Sequence, residues 1–349
     1  MTAPVLVQTV TGPITVEDLG ATVTHEHIFL DSRDGFGPRP DAISPDLRVS
    51  PETRPDIDMF PLAVLDNLLL DDVEVAVEEL AVAGAAGLVT VVEATSLFTG
   101  RRPELLVEAS RRSGVRIVMG SGLYLERAIP EPVRSCSEDE IAHLLEADLS
   151  DGVATVHGPV RPGVVGEVGV SARPTAVERR SLRAAAHIAH RHGVPLSIHL
   201  PAWDMIGHLV LDEIEAVVPD IRGVLLGHLN PMAHDRSYLS ELAARGAWLG
   251  LDMMGNNLNY GGGRKSPDEA TNITNLFGLI EKGLGSRVLL SSDVGQKNML
   301  HRNGGQGYGH VIGRTIPSLI DRGSGIQFAR DLVMRNPRNW FVEAAGPRI

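Results

Sequence analysis

Short apolar runs rich in valine, leucine and isoleucine recur along the chain, and most of them are bounded by glycine or proline. Near-continuous runs of this kind are typical of strands in a parallel sheet that is covered on both faces. Eight such runs predict eight strands. They lie at residues 21–28, 88–95, 116–124, 163–171, 195–201, 222–230, 247–255 and 287–295.

Stretches with helical periodicity separate these runs. The clearest are residues 71–87, 175–193 and 236–246, each closed by a glycine, as the C-termini of helices often are. Eight strand–helix units favour a closed (β/α)8 TIM barrel over an open doubly wound sheet. Neither a GxGxxG motif after the first run nor a GxxxxGK[ST] loop is present, so the sequence does not support nucleotide binding.

One stretch interrupts this alternation. Residues 31–70 contain six prolines, which disfavour a regular helix, and we expect a long loop after the first strand. The chain has no obvious linker or low-complexity segment. We therefore expect residues 1–349 to form one barrel domain.

Histidines and acidic residues lie near the ends of several predicted strands. In the motif HEH, the two histidines occupy positions i and i+2 of a strand and point to the same face. TIM barrels carry their catalytic groups at the C-terminal ends of the strands. Four imidazoles and two carboxylates at such ends suit a divalent cation such as Zn²⁺, Mn²⁺, Fe²⁺ or Co²⁺. The candidates are His25, His27, Glu167, His199, His228 and Asp293.

Each candidate also has a purely structural interpretation. A single histidine at a strand end is more often a hydrogen-bonded core or surface residue than a metal ligand, and Glu167 alone fits an ion pair inside a barrel. Chance does not readily place suitable residue types at so many strand ends together. The set therefore favours a metal centre more strongly than any of its members does.

Composition narrows the choice of partner. Acidic residues number 44 and basic residues 32, and the formal net charge of −12 argues against nucleic acid or an anionic membrane as a partner. A small-molecule substrate is expected instead. Cys136 is the only cysteine, which excludes an internal disulfide and a cluster of thiolate ligands. No basic residue precedes the first apolar stretch, so we expect no secretory signal and a cytoplasmic protein.

The motifs HEH, SIHLP, GHLNP and SSDVG, with an acid on the fourth strand, together resemble the phosphotriesterase-like family of the amidohydrolase superfamily. The segments SYLSELAARGAWLGLDMMG and MRNPRNWF are also similar to segments of that family. The resemblance covers roughly residues 5–341. It implies a TIM barrel that forms a homodimer and holds a binuclear centre of two divalent metal ions. Zinc is the first expectation for these ions.

The resemblance also implies a role for each ligand. His25, His27 and Asp293 would hold the more buried ion, His199 and His228 the more exposed one, and Glu167 would bridge the two. Phosphotriesterases and the best-known lactonases of the family have a carbamylated lysine at the bridging position. A subgroup has glutamate, and it includes animal phosphotriesterase-related proteins associated with N-acetyltaurine hydrolysis. Efficient organophosphate hydrolysis is therefore not expected.

Such a centre hydrolyses its substrate with a hydroxide shared by the two ions. The resemblance implies that Asp293 accepts the proton of this hydroxide and delivers it to the leaving group. Acyl and phosphoryl centres both suit this chemistry. We expect a hydrolase of a carboxylic ester or lactone, including anionic small molecules. The alternatives are an amidase of an N-acylated small acid, a phosphoester hydrolase, and an inactive metal-binding barrel.

Loops after the strands should select the substrate. Tyr124 occupies the position where lactonases of the family have a tyrosine that could orient a carbonyl. Trp203 and Met254 are expected in the pocket wall, whereas Asp252 is expected to orient a ligand histidine. The loop after the eighth strand is rich in basic residues and glycine, which suggests an anion site. Its candidate side chains are Lys297, Arg302, Tyr308 and His310.

Overall fold

The computed structural model describes residues 4–346 and contains a sheet of eight parallel strands, each hydrogen-bonded to its neighbours in chain order. The strands are β1 (Thr22–Glu26), β2 (Thr90–Glu93), β3 (Arg116–Ser121), β4 (Val164–Gly169), β5 (Leu196–His199), β6 (Val224–Leu226), β7 (Trp248–Leu251) and β8 (Val288–Leu290). Beyond the end of β8, the His27 N–H donates to the Val294 carbonyl at 3.1 Å, which joins the last strand to the first. The predicted (β/α)8 barrel is confirmed, and each predicted run contains one strand.

A helix covers each strand before the next one begins. These helices are α1 (Val73–Ala85), α2 (Pro103–Ser113), α3 (Glu138–Ser150), α4 (Ala176–His192), α5 (Gly207–Glu215), α6 (Arg236–Ala244), α7 (Glu269–Glu281) and α8 (Arg335–Ala345). Local sequence fixes several of their ends. Ser137 and Thr175 each form a capping box with a glutamate three residues later, and Gly193 ends α4 in the left-handed conformation. No helix within residues 4–346 is long and apolar enough to cross a lipid bilayer.

Shorter elements decorate the barrel. Three antiparallel pairs join Leu6–Thr9 to Gly12–Thr15, Leu30–Asp31 to Leu69–Leu70, and Val153–Thr155 to Gly158–Val160. The short helices are Arg54–Met59, Glu131–Arg134, Ile316–Asp321 and Ile326–Asp331. Six of the barrel strands contribute one residue each to an apolar cluster that includes Val7 from the first hairpin and Trp340 from α8. This apolar cluster packs the N-terminal hairpin against the barrel.

The stretch between residues 31 and 70, here called the β1 excursion, is mostly irregular, as its prolines predict. It includes the short helix Arg54–Met59 and a small apolar cluster formed by Ile43, Ile57, Ala63 and Val64. It packs against residues 294–310, which we call the β8 loop. Asp66 of the excursion accepts from Lys297 Nζ of that loop at 2.8 Å.

Candidate metal centre

The Glu167 carboxylate lies among four imidazoles near the C-terminal ends of the strands. Its Oε2 is 3.0 Å from His199 Nδ1 and 3.3 Å from His25 Nε2. Its Oε1 is 3.4 Å from His27 Nε2, while His228 Nε2 is 3.8 Å from Oε2. A carboxylate with both oxygens facing imidazoles is suitably placed to bridge two cations.

Asp293 approaches the same cluster from the end of β8. Its Oδ1 lies 3.4 Å from His27 Nε2 and 3.8 Å from His25 Nε2. The ligand atoms of His25, His27 and Asp293 all lie close enough together to share one cation. The same holds for His25, Glu167 and His228, and His199 joins this group because its Nδ1 is 2.8 Å from His228 Nε2.

His25 provides the clearest test of whether these residues fit a metal. Its ring is fully buried, yet neither ring nitrogen has a hydrogen-bond partner within residues 4–346. A buried polar group without a partner costs free energy, so native structures seldom leave one. Coordination of a cation through Nε2 removes that cost at this nitrogen, while Nδ1 faces Asp252 Oδ2 at 3.8 Å. Because the other donors are imidazoles and carboxylates, the site fits a borderline divalent metal.

The electrostatics of the cluster agree with this assignment. Burial opposes ionisation of Glu167, but the facing imidazoles of His199 and His25 hold the pKa of that carboxyl well below its usual value. Burial also opposes the charged form of His27, yet Asp293 and Glu167 raise the pKa of His27 to about 9. Asp293 and Glu167 therefore create an electrostatic field that favours positive charge beside His27, and a metal cation can supply that charge.

Hydrogen bonds behind two of the histidines orient their metal-facing nitrogens. Thr95 Oγ1 donates to Glu93 Oε1 at 2.5 Å and lies 3.0 Å from His27 Nδ1. Since the hydroxyl proton goes to Glu93, His27 Nδ1–H must donate to the threonine, which leaves His27 Nε2 free for a metal. Sequence reasoning missed Glu93, although its position in the apolar run at the end of β2 is the same signal that identified Glu167.

Asp252 plays the corresponding role for His228, as its position after β7 suggested. Its Oδ1 is 2.9 Å from His228 Nδ1, and both of its oxygens accept from the His228 backbone N–H. The φ of His228 is 58°, a left-handed conformation that costs a non-glycine residue free energy. A Cβ at Gly227 or Gly250 would lie 2.9 Å from Asp252 Oδ2, so these glycines make room for the carboxylate.

Glu26, the residue between the two HEH histidines, holds the loop that carries Asp293. Its carboxylate accepts from the backbone N–H groups of Ser292 and Val294, each at 2.8 Å, and from Ser291 Oγ. Burial raises the pKa of Glu26 to about 7 despite these hydrogen bonds. Asp293 itself has a φ of 50°. Hydrogen bonds on both sides of this strained residue keep its side chain at the metal centre.

A cavity of about 640 Å³ opens above the six candidate ligands, a size typical of small-molecule sites. The residues that line it include Glu167, His199 and Asp293. Tyr124 also lines it, and the Tyr124 hydroxyl is 3.3 Å from His199 Nε2. Trp203 lies on the wall, where its ring packs against Tyr260 with centroids 5.5 Å apart. The structure thus places Tyr124 and Trp203 in the predicted pocket.

Two other predicted substrate-binding residues, one from the pocket wall and one from the anion site, lie beneath the cavity surface. Met254 is fully buried in the main core, and the preceding Met253 lines the cavity instead. The two methionines therefore lie on opposite sides of the irregular segment that follows β7. Tyr308 is also buried, and its hydroxyl donates to the His27 carbonyl at 2.8 Å. Tyr308 therefore supports the metal-binding strand from behind.

The three basic candidates of the β8 loop do not belong to the cavity lining either. Lys297 Nζ is 2.8 Å from Asp66 Oδ1, while the Arg302 side chain is largely exposed. His310 Nε2 lies 3.3 Å from Glu269 Oε2. Lys297 and His310 thus face neighbouring acids. A role in binding substrate would require them to leave these partners.

Comparisons with known proteins place the chain among metal-dependent hydrolases. Residues 5–341 match the model of the phosphotriesterase family. The N-acetyltaurine hydrolase of Xenopus tropicalis is 28% identical over 343 residues, which cover 96% of this chain and 97% of that protein. The match extends over nearly the whole of both chains.

Solved structures agree with the fold. A resiniferatoxin-binding protein from Rhodobacter sphaeroides has a TM-score of 0.92 and 36% identity, with 97% of this chain and 95% of that chain covered. The lactonase Lmo2620 from Listeria monocytogenes has a TM-score of 0.74 and 22% identity over 97% of this chain and 99% of that one. At this lower identity the likeness concerns the fold alone.

Proposed function

This chain belongs to the phosphotriesterase family of metal-dependent hydrolases, and we propose that it cleaves the amide bond of an N-acylated small acid. The observation that carries the proposal is the convergence of four imidazoles on the two oxygens of Glu167, with Asp293 beside one of these rings, that of His27. The similarity to N-acetyltaurine hydrolases over 96% of the chain supports an amide as the scissile bond. We propose two divalent ions at this site, with zinc as the first expectation.

The six candidate ligands fit those ions by chemistry and by position. Held by these residues, two cations would supply the Lewis acidity that activates water and polarises an acyl carbonyl. Asp293 faces both the cluster and the cavity. Burial would raise the pKa of its carboxyl, but His228 and His27 lower that pKa. Asp293 is therefore ionised, so that it can take a proton from water and return it to the leaving nitrogen.

Two arginines on the cavity wall are the groups that an acidic substrate would contact. Arg127 and Arg264 both line the cavity, and each faces a carboxylate. Arg127 Nε is 2.8 Å from Asp34 Oδ2, and Arg264 Nη2 is 3.5 Å from Asp204 Oδ2. Asp34 and Asp204 line the cavity too, so a substrate carboxylate or sulfonate would have to displace them from the two guanidinium groups. N-acetyltaurine ends in such a sulfonate.

A carboxylic ester or lactone is the second candidate, and Tyr124 is as well placed for its carbonyl as for that of an amide. Burial and the charge of Glu167 raise the pKa of Tyr124 well above its usual value, so its hydroxyl remains a hydrogen-bond donor. That hydroxyl lies in the cavity beside His199 and can orient a substrate carbonyl. Amide and ester substrates both present such a carbonyl, so measured turnover must show which of the two bonds the enzyme cleaves.

A substrate panel tests the proposal. The metal-loaded enzyme is assayed with N-acetyltaurine, N-acetylglycine, γ-butyrolactone and 4-nitrophenyl acetate, and the released amine or acid is quantified. We expect the N-acyl acids to give the highest kcat/KM and a chelator to abolish turnover. Preferred cleavage of the lactone would select the second candidate instead. Full ion occupancy without turnover of any compound would favour the inactive barrel.

A further inference from the structure

Gln296 is a polar residue of the cavity wall that the chemistry described so far does not use. It follows Asp293 by three positions and lies in the β8 loop just before a short 3-10 helix, Lys297–Met299. Its side chain contributes to the cavity lining, although only 7% of the residue is exposed. A primary amide at this depth needs partners for both its oxygen and its nitrogen.

Asn67 of the β1 excursion determines which atom of Gln296 faces the cavity. Asn67 Nδ2 donates to the Pro61 carbonyl at 2.9 Å, and Asn67 Oδ1 accepts from the Asn298 backbone N–H at 2.8 Å. A carbonyl can only accept and a backbone N–H can only donate, so the Asn67 amide has a single possible orientation. Its Nδ2 lies 3.2 Å from Gln296 and must donate to the glutamine oxygen, Oε1.

This contact leaves the other end of the Gln296 amide unused. Within residues 4–346, no hydrogen-bond acceptor pairs with Gln296 Nε2, and Asn67 itself is completely buried. The excursion and the β8 loop are further joined by Asp58, which accepts from Asn298 Nδ2 at 2.7 Å. Gln296 therefore presents an oriented pair of N–H donors from a wall that neighbouring hydrogen bonds hold in place.

We propose that Gln296 determines specificity by donating a hydrogen bond from Nε2 to an oxygen of the substrate, and that Asn67 is the residue that positions this donor. The partner is a substrate acceptor oxygen outside the metal cluster, such as that of a carbonyl, carboxylate, sulfonate or ether. The proposal rests on the hydrolase function proposed above. A site built to donate a hydrogen bond discriminates against analogues that lack the acceptor.

Gln296→Glu is the most informative variant because its carboxylate can still accept from Asn67 Nδ2 but has no N–H to donate. Gln296→Leu removes the donor without adding charge. For N-acetyltaurine we expect either variant to raise KM about tenfold, the effect of losing one hydrogen bond, while metal content stays at the parent level. Gln327→Glu makes the same change on an exposed helix, where Gln327 donates only to Asp331, and should leave KM unchanged.

Two matched esters separate loss of the hydrogen bond from general damage. Phenyl methoxyacetate has an ether oxygen where phenyl butyrate has a methylene group. The quantity compared is kcat/KM for phenyl methoxyacetate divided by kcat/KM for phenyl butyrate. We expect this ratio to be lower in both Gln296 variants than in the parent. Asn67→Ala should move the ratio in the same direction with metal content unchanged. An unchanged ratio together with an unchanged KM for N-acetyltaurine would overturn the proposal.

Binding measured without turnover separates this proposal from the proposed function. If the parent hydrolyses none of these compounds, calorimetric titration with N-acetyltaurine still compares the parent with Gln296→Leu. Weaker binding to the variant would support the donor role even though the proposed reaction had failed. Equal binding, or no binding to either protein, would overturn it.

Discussion

The ends of the barrel strands and the β8 loop both carry many polar side chains, but only the strand ends direct theirs to one point. The Glu167 carboxylate, for example, lies within 3.3 Å of a ring nitrogen of His25 and of a ring nitrogen of His199. Lys297, by contrast, pairs with Asp66 of the β1 excursion. The two regions adjoin at Asp293, so distance along the chain does not explain the difference.

Backbone regularity explains it better. Parallel strands of a closed barrel end at a common rim, so a polar residue at each end has the same neighbours whatever loop follows. A residue farther along a loop is oriented by whichever segment packs against that loop. For the β8 loop this segment is the β1 excursion, which contributes Asp66 to Lys297 and Asn67 to Gln296.

Glu167→Gln should produce the largest effect of any single change at the strand ends. An amide cannot offer two anionic oxygens to two cations. Loss of a residue that only hydrogen-bonds to a ligand typically lowers metal affinity roughly 10- to 100-fold, and here the affinity should fall by more than that. Activity should fall with it. Metal analysis and kcat/KM provide the measurements, and circular dichroism checks the fold. Glu281→Gln, on the exposed end of α7, is the matched control.

The same position allows a second check. Because glutamate needs no CO₂ to become a bridging ligand, bicarbonate added during metal loading should not change the activity of the parent enzyme. A strong requirement for bicarbonate would indicate a carbamylated lysine and would remove Glu167 from the proposed bridge. Near-normal metal occupancy in Glu167→Gln would lead to the same conclusion.

Asp293→Asn should have the next largest effect. The change removes the proton acceptor and weakens one metal site together, and loss of an acid–base group alone typically lowers rates about 10²- to 10⁴-fold. Steady-state kcat is measured first at ordinary metal concentration and then with excess metal. We expect excess metal to restore occupancy without restoring the rate. Recovery of the rate would make Asp293 a ligand only.

Asp252→Asn tests the support behind a strand-end histidine. In asparagine an NH₂ group would replace Asp252 Oδ2, which lies 3.0 Å from the His228 backbone nitrogen, and two donors would then face each other. His228 should therefore be oriented less firmly. Metal affinity should fall about 10- to 100-fold, less than for Glu167→Gln. Competition with a chromophoric chelator measures this affinity. The exposed Asp321→Asn should leave it unchanged.

The strand ends are also the part of the site that could be predicted from the sequence. Apolar runs locate all eight strands, and the barrel topology then brings residues such as His25 and Asp293 together without further information. Helix boundaries were predictable where caps and periodicity agree, as in α4, which ends at Gly193. Asp252 could be expected to support a histidine because it lies beside β7 at the same rim.

The loop contacts could not be predicted in this way. Nothing in the local sequence of the β8 loop specifies that Lys297 faces Asp66 or that Gln296 meets Asn67, since these partners are more than 200 positions apart. Composition alone therefore suggested an anion site, whereas the contacts place Lys297 in an ion pair. Glu93 and Glu26 were missed for other reasons. Glu93 lies in a strand run that is otherwise apolar, and Glu26 lies between two histidines that account for the HEH motif without it.

Lys297→Ala should have the smallest effect and tests the β8 loop directly. If Lys297 serves only its half-buried ion pair with Asp66, the change should lower stability by about 1 to 3 kcal/mol. It should also change KM for N-acetyltaurine less than twofold, because the side chain lies outside the cavity lining. Thermal unfolding and steady-state kinetics measure the two quantities, with the exposed Lys282→Ala as the control. A large rise in KM for N-acetyltaurine but not for the neutral 4-nitrophenyl acetate would show that Lys297 leaves Asp66 to bind the substrate anion. In that case the difference between strand ends and loop would hold only for the free enzyme.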